Sequence, residues 1–310
     1  MDWIGPGIWQ GDALEAASLL PLDSIDLAYL DPPFGTGRTR SGPLGRYPDG
    51  WQGAMAHASW LVRCCVGLWP ALREGGTLWL HLDARTVHHA RVLLDDQLAG
   101  GTCRNEVVWC YNGGGLPKRD FPRKHDVLLR YVKGKDWTFH PARQPYKANT
   151  QAVGRHSSRA RRVAIDLGRG TPHTDWWTDI PTVTGWAPER LGYPTQKPLQ
   201  LLERLIAATS NPGDRVVDLF MGSGTTLEAA ARLGRCYLGV DASAAACDLA
   251  ARRLRPWQAA AWPVALEGVG TGQAGGTAEV GAQVTSRRRS GVTKLSTKAA
   301  TSKRPIGKSV

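Results

Sequence analysis

The chain has 310 residues, 42% of them hydrophobic and 21% charged, enough for one sizeable α/β domain with an insert. No apolar run approaches the roughly 18 residues that cross a bilayer, and Met1 to Pro6 has no basic stretch ahead of an apolar core, so the reading is a cytoplasmic protein with no membrane partner. The net charge of +12 is uneven: residues 104–190 hold 16 Lys/Arg against 8 Asp/Glu, residues 267–310 hold 8 against 2, and the remainder is slightly acidic. That distribution suits a nucleic-acid partner.

In chain order, Ile8 to Asp12 predicts a short strand ending in Gly-Asp, and residues 13–20 predict a helix. Asp12 can cap that helix or hold a ligand at the strand's end. Ile25 to Leu30 is an apolar run of strand length, stopped abruptly by Asp31-Pro32-Pro33-Phe34. Proline has no N–H for a sheet ladder and pushes its predecessor towards extended geometry. Residues 35–53 are rich in Gly, Pro and Arg without periodicity and read as a long loop, either a functional one with Arg38, Arg40 and Arg46 meeting phosphates or a solvated, disordered one. Helical spacing from Trp60 to Leu72 closes at Glu74-Gly75-Gly76; Thr77 to Leu82 alternates as a strand, and Ala84 to Leu98 is amphipathic. This βαβα rhythm predicts an α/β fold, a mostly parallel doubly wound sheet with helices on both faces.

Asn105 to Tyr111 and Asp126 to Val132 read as an antiparallel edge, separated by three glycines and the basic run Lys118, Arg119, Arg123, Lys124. From Trp137 to Ala187 the apolar rhythm breaks down, and Arg143, Lys147, Arg155, Arg159, Arg161, Arg162 and Arg169 interleave with His140, His156, His173 and Trp176-Trp177. Pro198 opens a helix over 199–210, Arg215 to Leu219 is a buried strand, and a helix starts near Thr225. Cys236 to Val240 is the next strand and Ala244 to Leu254 the last helix; residues 267–310 are too poor in hydrophobic residues to offset ordering entropy and read as a disordered basic tail. The six cysteines have no CxxC spacing and the histidines no ligand spacing with them, so reduced thiols and no metal site are expected.

Two stretches carry chemistry. The Asp31 carboxylate and the Pro32 carbonyl are acceptors suited to the hydrogens of a flat amine, and Phe34 offers a stacking face. Two placed acceptors favour the pyramidal, nucleophilic form of an exocyclic amine whose lone pair is otherwise delocalised. A Pro-Pro turn with Asp31 as a turn or capping acid is the plainer alternative. Farther on, Phe220-Met221-Gly222-Ser223-Gly224 follows a strand and lets the backbone approach a ligand closely, with Asp241 at the end of the next strand placed for ribose hydroxyls. Leu227 stands where a dinucleotide fingerprint wants a small residue, so the turn suits a ligand without a pyrophosphate.

Three motifs occur in order: Asp31-Pro32-Pro33-Phe34, Tyr193-Pro194-Thr195-Gln196-Lys197-Pro198, and the run from Asp218 to Thr226, with the basic insert between the first two. In this the chain resembles the DNA amino-methyltransferases of adenine N6 or cytosine N4, in the β-class type whose catalytic motif precedes the cofactor motif, over about Ile8 to Arg255. The family usually shows His where Tyr193 stands.

The resemblance implies a Rossmann-like S-adenosylmethionine-dependent methyltransferase fold. It divides into a catalytic half at 1–136, a target-recognition insert at 137–190, a cofactor-binding half at 191–266 and the tail. Asp31, Pro32, Pro33 and Phe34 would be catalytic; Asp12, Thr195, Gln196, Lys197, Asp218, Phe220, Gly222, Ser223, Gly224, Thr225 and Asp241 would border S-adenosylmethionine, with Asp218 towards the methionine ammonium. Tyr111 and Phe121 are candidates for the wall of a flipped-base pocket. The partner is double-stranded DNA, with a homodimer and a cognate restriction endonuclease as further candidates. Adenine N6 is preferred because N4 enzymes more often carry Ser at the first catalytic position; cytosine N4 and a catalytically silent DNA-binding relative are the alternatives. Carbon-5 cytosine chemistry is disfavoured, since it uses a Pro-Cys dipeptide that occurs nowhere here.

Overall fold

The computed structural model describes residues 2–35, 38–42, 45–51, 53–113, 115, 117–146, 155–157, 162–164 and 167–263. The chain divides into two units, Met1–Gly272 and Gln273–Val310. The second lies outside the described residues, as does the whole of the expected tail at 267–310.

The elements run β1 (Asp2–Gly5), β2 (Ile8–Gln10), α1 (Ala13–Leu19), β3 (Ile25–Leu30), β4 (Arg38–Gly42), β5 (Gly45–Asp49), α2 (Ala54–Leu68), β6 (Leu72–Asp83), α3 (Val87–Gln97), β7 (Gly101–Cys110) and β8 (His125–Lys133). Short strands β9 (Arg143–Gln144), β10 (Arg155–Ser157), β11 (Arg162–Ala164), β12 (Thr171–Pro172) and β13 (Trp176–Trp177) follow. Then come α4 (Leu199–Thr209), β14 (Arg215–Asp218), α5 (Thr225–Arg232), β15 (Cys236–Asp241) and α6 (Ala244–Arg253).

Nine strands form one sheet in the order β1-β2-β15-β14-β3-β6-β8-β7-β13. β2, β15, β14, β3 and β6 are parallel neighbours, while β1 and β8 run antiparallel to β2 and β6. Side chains alternate between two cores. Ala28, Leu30, Leu78, Leu80 and Val217 pack with α1 to α3, and Leu27, Tyr29, Trp79 and Val216 pack with α4 to α6. This is the period of two expected of strands buried on both faces.

The chain leaves β3 through α2 towards β6 and leaves β14 through α5 towards β15, in opposite directions along the sheet, yet β3 and β14 are neighbours. That reversal makes the crevice beyond their carboxyl ends the place where an open α/β sheet binds ligands. The register pairs Val216 with Leu27 and Val217 with Ala28. The two chemistry-bearing loops, at Asp31 and at Phe220, therefore leave the same rim side by side.

Several boundaries differ from the sequence reading. The helix expected at Trp60 to Leu72 is α2, which starts at Ala54 and ends at Leu68, because Pro70 allows only a 3-10 turn over Trp69–Ala71. Leu72 to Gly76 belong to β6, where the pairing with β3 shifts register and Gly75 takes φ +80° with its α-carbon face against the Asp136 carbonyl. The expected loop at 35–53 contains the antiparallel hairpin β4–β5, whose side chains, Arg38, Arg40 and Arg46 included, lie outside the description. β1 went unpredicted. Trp176-Trp177, within the expected recognition segment, pairs in parallel with Val108 and Trp109 as the outermost strand. Trp177 is buried there under the Arg204 guanidinium, 5.0 Å from its ring centroid, while Trp176 stays exposed. Among the described residues no helix is long and apolar enough to cross a membrane.

Candidate active site

Two cavities share the rim. The smaller, about 300 Å³, is lined by Asp12, Asp31, Pro33, Trp51, Trp60, Thr195, Gln196, Lys197, Asp218, Phe220, Gly222, Ser223, Thr225 and Asp241. The larger, about 1040 Å³, takes in Phe34, Arg85, Trp109, Tyr111, Phe121, Arg123, Asp126 and Arg190. Tyr193, Thr195, Gln196 and Lys197 face both, so this segment is the partition. Of the expected catalytic and cofactor-binding residues, Gly224 and the buried Pro32 line neither cavity.

At the partition the Lys197 ammonium donates to both oxygens of Asp31, at 2.7 and 2.6 Å, and sits 4.9 Å from the centroid of the Phe34 ring. Both partners of the pair are largely buried. A carboxylate has about four lone-pair positions, so Asp31 keeps acceptor capacity for a second donor. Phe34 lies on the large-cavity side of this pair and Asp31 on the small-cavity side.

The glycine turn is built for close approach. Gly222 and Gly224 have φ +50° and +76°, and a Cβ on Gly222 would meet the Tyr193 ring at 3.1 Å. The Gly222 N–H donates to Asp241 at 2.9 Å, and Ser243 N–H donates to the other oxygen at 2.9 Å. Asp241, expected at a ribose, thus also ties the turn to the next strand; burial raises its pKa. Asp218 is fully buried and accepts from Phe220 N–H at 2.9 Å. Burial pushes its carboxyl up to about 7 against the pull of the Thr226 and Phe220 hydrogen bonds, with Asp31 and Asp241 adding repulsion. Leu227, the residue that breaks the dinucleotide fingerprint, is accommodated because Gly239 faces it: a Cβ there would collide with the Leu227 side chain.

Other expected ligands have structural work as well. Asp12 caps α1, accepting from Leu14 and Glu15 N–H at 2.8 and 3.1 Å, while still lining the small cavity. Gln196 spends its amide on the Leu191 N–H and the Glu189 carbonyl, at 2.9 and 2.7 Å, which folds the partition. Thr225 accepts from Arg253 at 2.8 Å.

Sequence reasoning missed two groups. The Trp51 and Trp60 rings pack tilted with centroids 4.8 Å apart, and Trp60 meets Phe220 edge-on at 5.6 Å, making an aromatic wall of the small cavity. Beneath the partition runs a buried polar chain: the Tyr29 hydroxyl to His81 Nδ1 at 2.8 Å, His81 Nε2 to Asp126 at 3.2 Å, and the Tyr111 hydroxyl to the other Asp126 oxygen at 3.0 Å. Tyr29 lines the small cavity and Asp126 and Tyr111 the large one, so the chain spans the two; the His81 ring also supports Phe34, 5.8 Å away. Burial alone would raise the Asp126 carboxyl, but the His81 and Tyr111 hydrogen bonds and the nearby Lys197 charge hold it below the usual carboxylate value. Alternation marks His81 as a strand residue, but nothing local marks it as different from its apolar neighbours.

The family model described as DNA methylase matches residues 25–252. The chain belongs to this family. Its members are N6/N4 amino-methyltransferases that depend on S-adenosylmethionine. The chain is 28% identical to the DNA adenine methyltransferase YhdJ of Escherichia coli strain K12 over 257 residues, 80% of this chain and 82% of that one. Among solved structures, the M1.HpyAVI–SAM complex superposes with TM-score 0.55 at 22% identity, over 80% of this chain and 98% of that one. The cytosine-N4-specific PvuII DNA methyltransferase superposes with TM-score 0.58 at 18% identity, over 81% and 87%. The small cavity fits the cofactor of the family: four carboxylates (Asp12, Asp31, Asp218, Asp241) suit a ligand bearing a sulfonium and an ammonium, and the tryptophan wall suits its adenine.

Replacing His81 removes the partner of the Tyr29 hydroxyl and one of the two donors to buried Asp126. His81→Phe is expected to lower the unfolding free energy by about 2–4 kcal/mol at neutral pH, as measured by urea denaturation. Because Asp126 is held below its unfolded value, its contribution is present above the ordinary carboxylate range and lost as pH falls through the lower native value. The deficit of His81→Phe should therefore persist at about pH 5 and narrow only as pH falls below the ordinary carboxylate range, as urea denaturation at about pH 3 would show.

Proposed function

We propose that the chain is a site-specific methyltransferase of adenine N6 in duplex DNA, of the type with the Asp31 motif ahead of the glycine turn, acting on a base flipped out of the helix. The observation that carries this reading is the Asp31–Lys197 pair at the wall between the two cavities. It sets an acceptor for an amine on the border between a space suited to the cofactor and a space large enough for a nucleobase. An exocyclic amine inside a base pair cannot reach such a site, so the base must leave the stack.

In this reading Asp31 takes an amine hydrogen, and Phe34, steadied by His81, stacks on the base. Asp12, Asp218, Asp241 and the turn at Gly222 hold the cofactor, and Trp51, Trp60 and Phe220 close around its adenine. When bound, S-adenosylmethionine supplies an electrophilic methyl group. Asp31 holds the amine lone pair in line for that group, and its carboxylate is also the nearest base for the proton that the methylated amine sheds. No thiol lines either cavity, and burial raises Cys64 and Cys247 to about 12, which argues for direct transfer without a covalent enzyme intermediate. Arg85, Arg123 and Arg190 at the mouth of the large cavity suit DNA phosphates. Among the basic residues of the insert, Arg143 donates to the Arg169 carbonyl at 2.7 Å, which ties the segment together, and the side chains of Lys147, Arg155, Arg159, Arg161 and Arg162 lie outside the description.

Adenine is favoured by the acid at the first motif position and by the adenine enzyme among the relatives; cytosine N4 is the second reading, favoured by the superposition on the PvuII enzyme. A homodimer and a cognate endonuclease stay as candidate partners, and the cytoplasm as the candidate location.

Asp31→Ala should abolish methyl transfer to DNA while S-adenosylmethionine still binds in a calorimeter; undiminished transfer would sink the role given to Asp31. Digestion and mass spectrometry of treated DNA should show N6-methyladenine, and N4-methylcytosine alone would reverse the base assignment. The raised Asp218 carboxyl makes a pH prediction. A cationic ligand favours the ionised form, so binding should release a proton below about pH 7 and tighten as pH rises towards it. Asp218→Asn should flatten that dependence.

A further inference from the structure

The segment joining β7 to β8 is closed at its base by the Tyr111 N–H donating to the Lys124 carbonyl at 2.9 Å. Above that clasp, residues 117–123 are all exposed. On this segment stands Phe121, 97% exposed, yet its residue lines the large cavity together with Phe34 and Tyr111. Burying a phenylalanine is worth about 1.5–3 kcal/mol, so the fold gains almost nothing from this ring. Lone exposed apolar residues are common and need no account, but this one combines three features. It lines the cavity, it is followed by Pro122 with its fixed φ, and it is bracketed by Lys118, Arg119 and Arg123. Trp186, equally exposed at 96%, does not line the cavity.

A base that leaves the stack opens a gap walled by the faces of its neighbours. Proteins that distort DNA insert apolar wedges between bases while cations hold the adjoining phosphates. We propose that Phe121 is such a wedge: its ring enters the duplex where the target base has left, and the lysine and arginines around it hold the backbone on either side. This rests on the base-flipping reading above and adds to it the residue that keeps the base from returning. Phe121 is a positioning residue and touches no reacting atom.

The test uses the full chain and a duplex bearing the site found by sequencing DNA that the wild type has methylated. A second duplex is identical except for an abasic residue opposite the target base, which removes the pairing that must be broken. On the paired duplex Phe121→Ala should lose about tenfold or more in kcat/KM, and Phe121→Tyr should recover most of it. On the abasic duplex the loss should shrink to less than about threefold, since the cost of extrusion has been removed. Full activity of Phe121→Ala on the paired duplex would overturn the wedge. So would an equal loss on both duplexes, which would make Phe121 an ordinary groove contact. A wild type that methylates no DNA would sink the parent reading and the wedge with it, and is told apart by being a property of the unmutated chain.

Discussion

The constraint on which the site depends is the parallel pairing of β3 with β14. It is a main-chain ladder between segments about 190 residues apart, with Val216 opposite Leu27 and Val217 opposite Ala28. Because the chain turns away in opposite directions from these two strands, no helix covers the crevice beyond them. A slip of one residue would exchange Tyr29 and Leu27 with Ala28 and Leu30 between the two cores, so burial on both faces fixes the register. With it are fixed the relative heights of Asp31 and the glycine turn.

On that rim the protein separates two jobs that need different surroundings. The small cavity is acidic and aromatic, suited to a cation with an adenine attached. The large cavity is open, basic at its mouth and walled by rings. The partition between them is held by hydrogen bonds of its own, with Gln196 bridging Leu191 and Glu189 and the Glu189 side chain accepting from Leu199 N–H at 2.8 Å. Lys197 reaches from this stiffened segment to Asp31, so the carboxylate proposed to accept the amine is oriented before any substrate arrives. Preorganised dipoles of this kind need no rearrangement as charge develops.

The Tyr29–His81–Asp126–Tyr111 chain does for the floor what Gln196 does for the wall. Its members come from β3, β6 and β8 and the end of β7, so one buried carboxylate couples the parallel core to the antiparallel edge. Buried polar chains are costly when half satisfied and rigid when complete. Both Asp126 oxygens have donors, and the ring of His81 is held from each nitrogen. The floor under Phe34 is therefore rigid, whereas the Phe121 loop above it is exposed.

What was legible in the sequence was whatever local chemistry dictates. The diproline stop after Ile25–Leu30, the positive-φ glycines at 222 and 224 and the apolar strand runs leave little freedom to the backbone, and the strands and helices that flank the site followed within a few residues. Composition likewise marked the chain as basic where the large cavity opens. Tertiary structure alone decided the rest. Pro70 cut α2 short, and Gly75 turned an expected helix stop into a strand irregularity. Trp177, within the expected recognition segment, became core, and the Gln196 and Asp241 side chains acquired backbone partners. His81 and Asp126, 45 residues apart, became one unit with nothing in either neighbourhood to announce it. Local preference is set by each residue's own torsions and near neighbours, but a buried hydrogen bond depends on which strands lie side by side, and only the completed sheet fixes that.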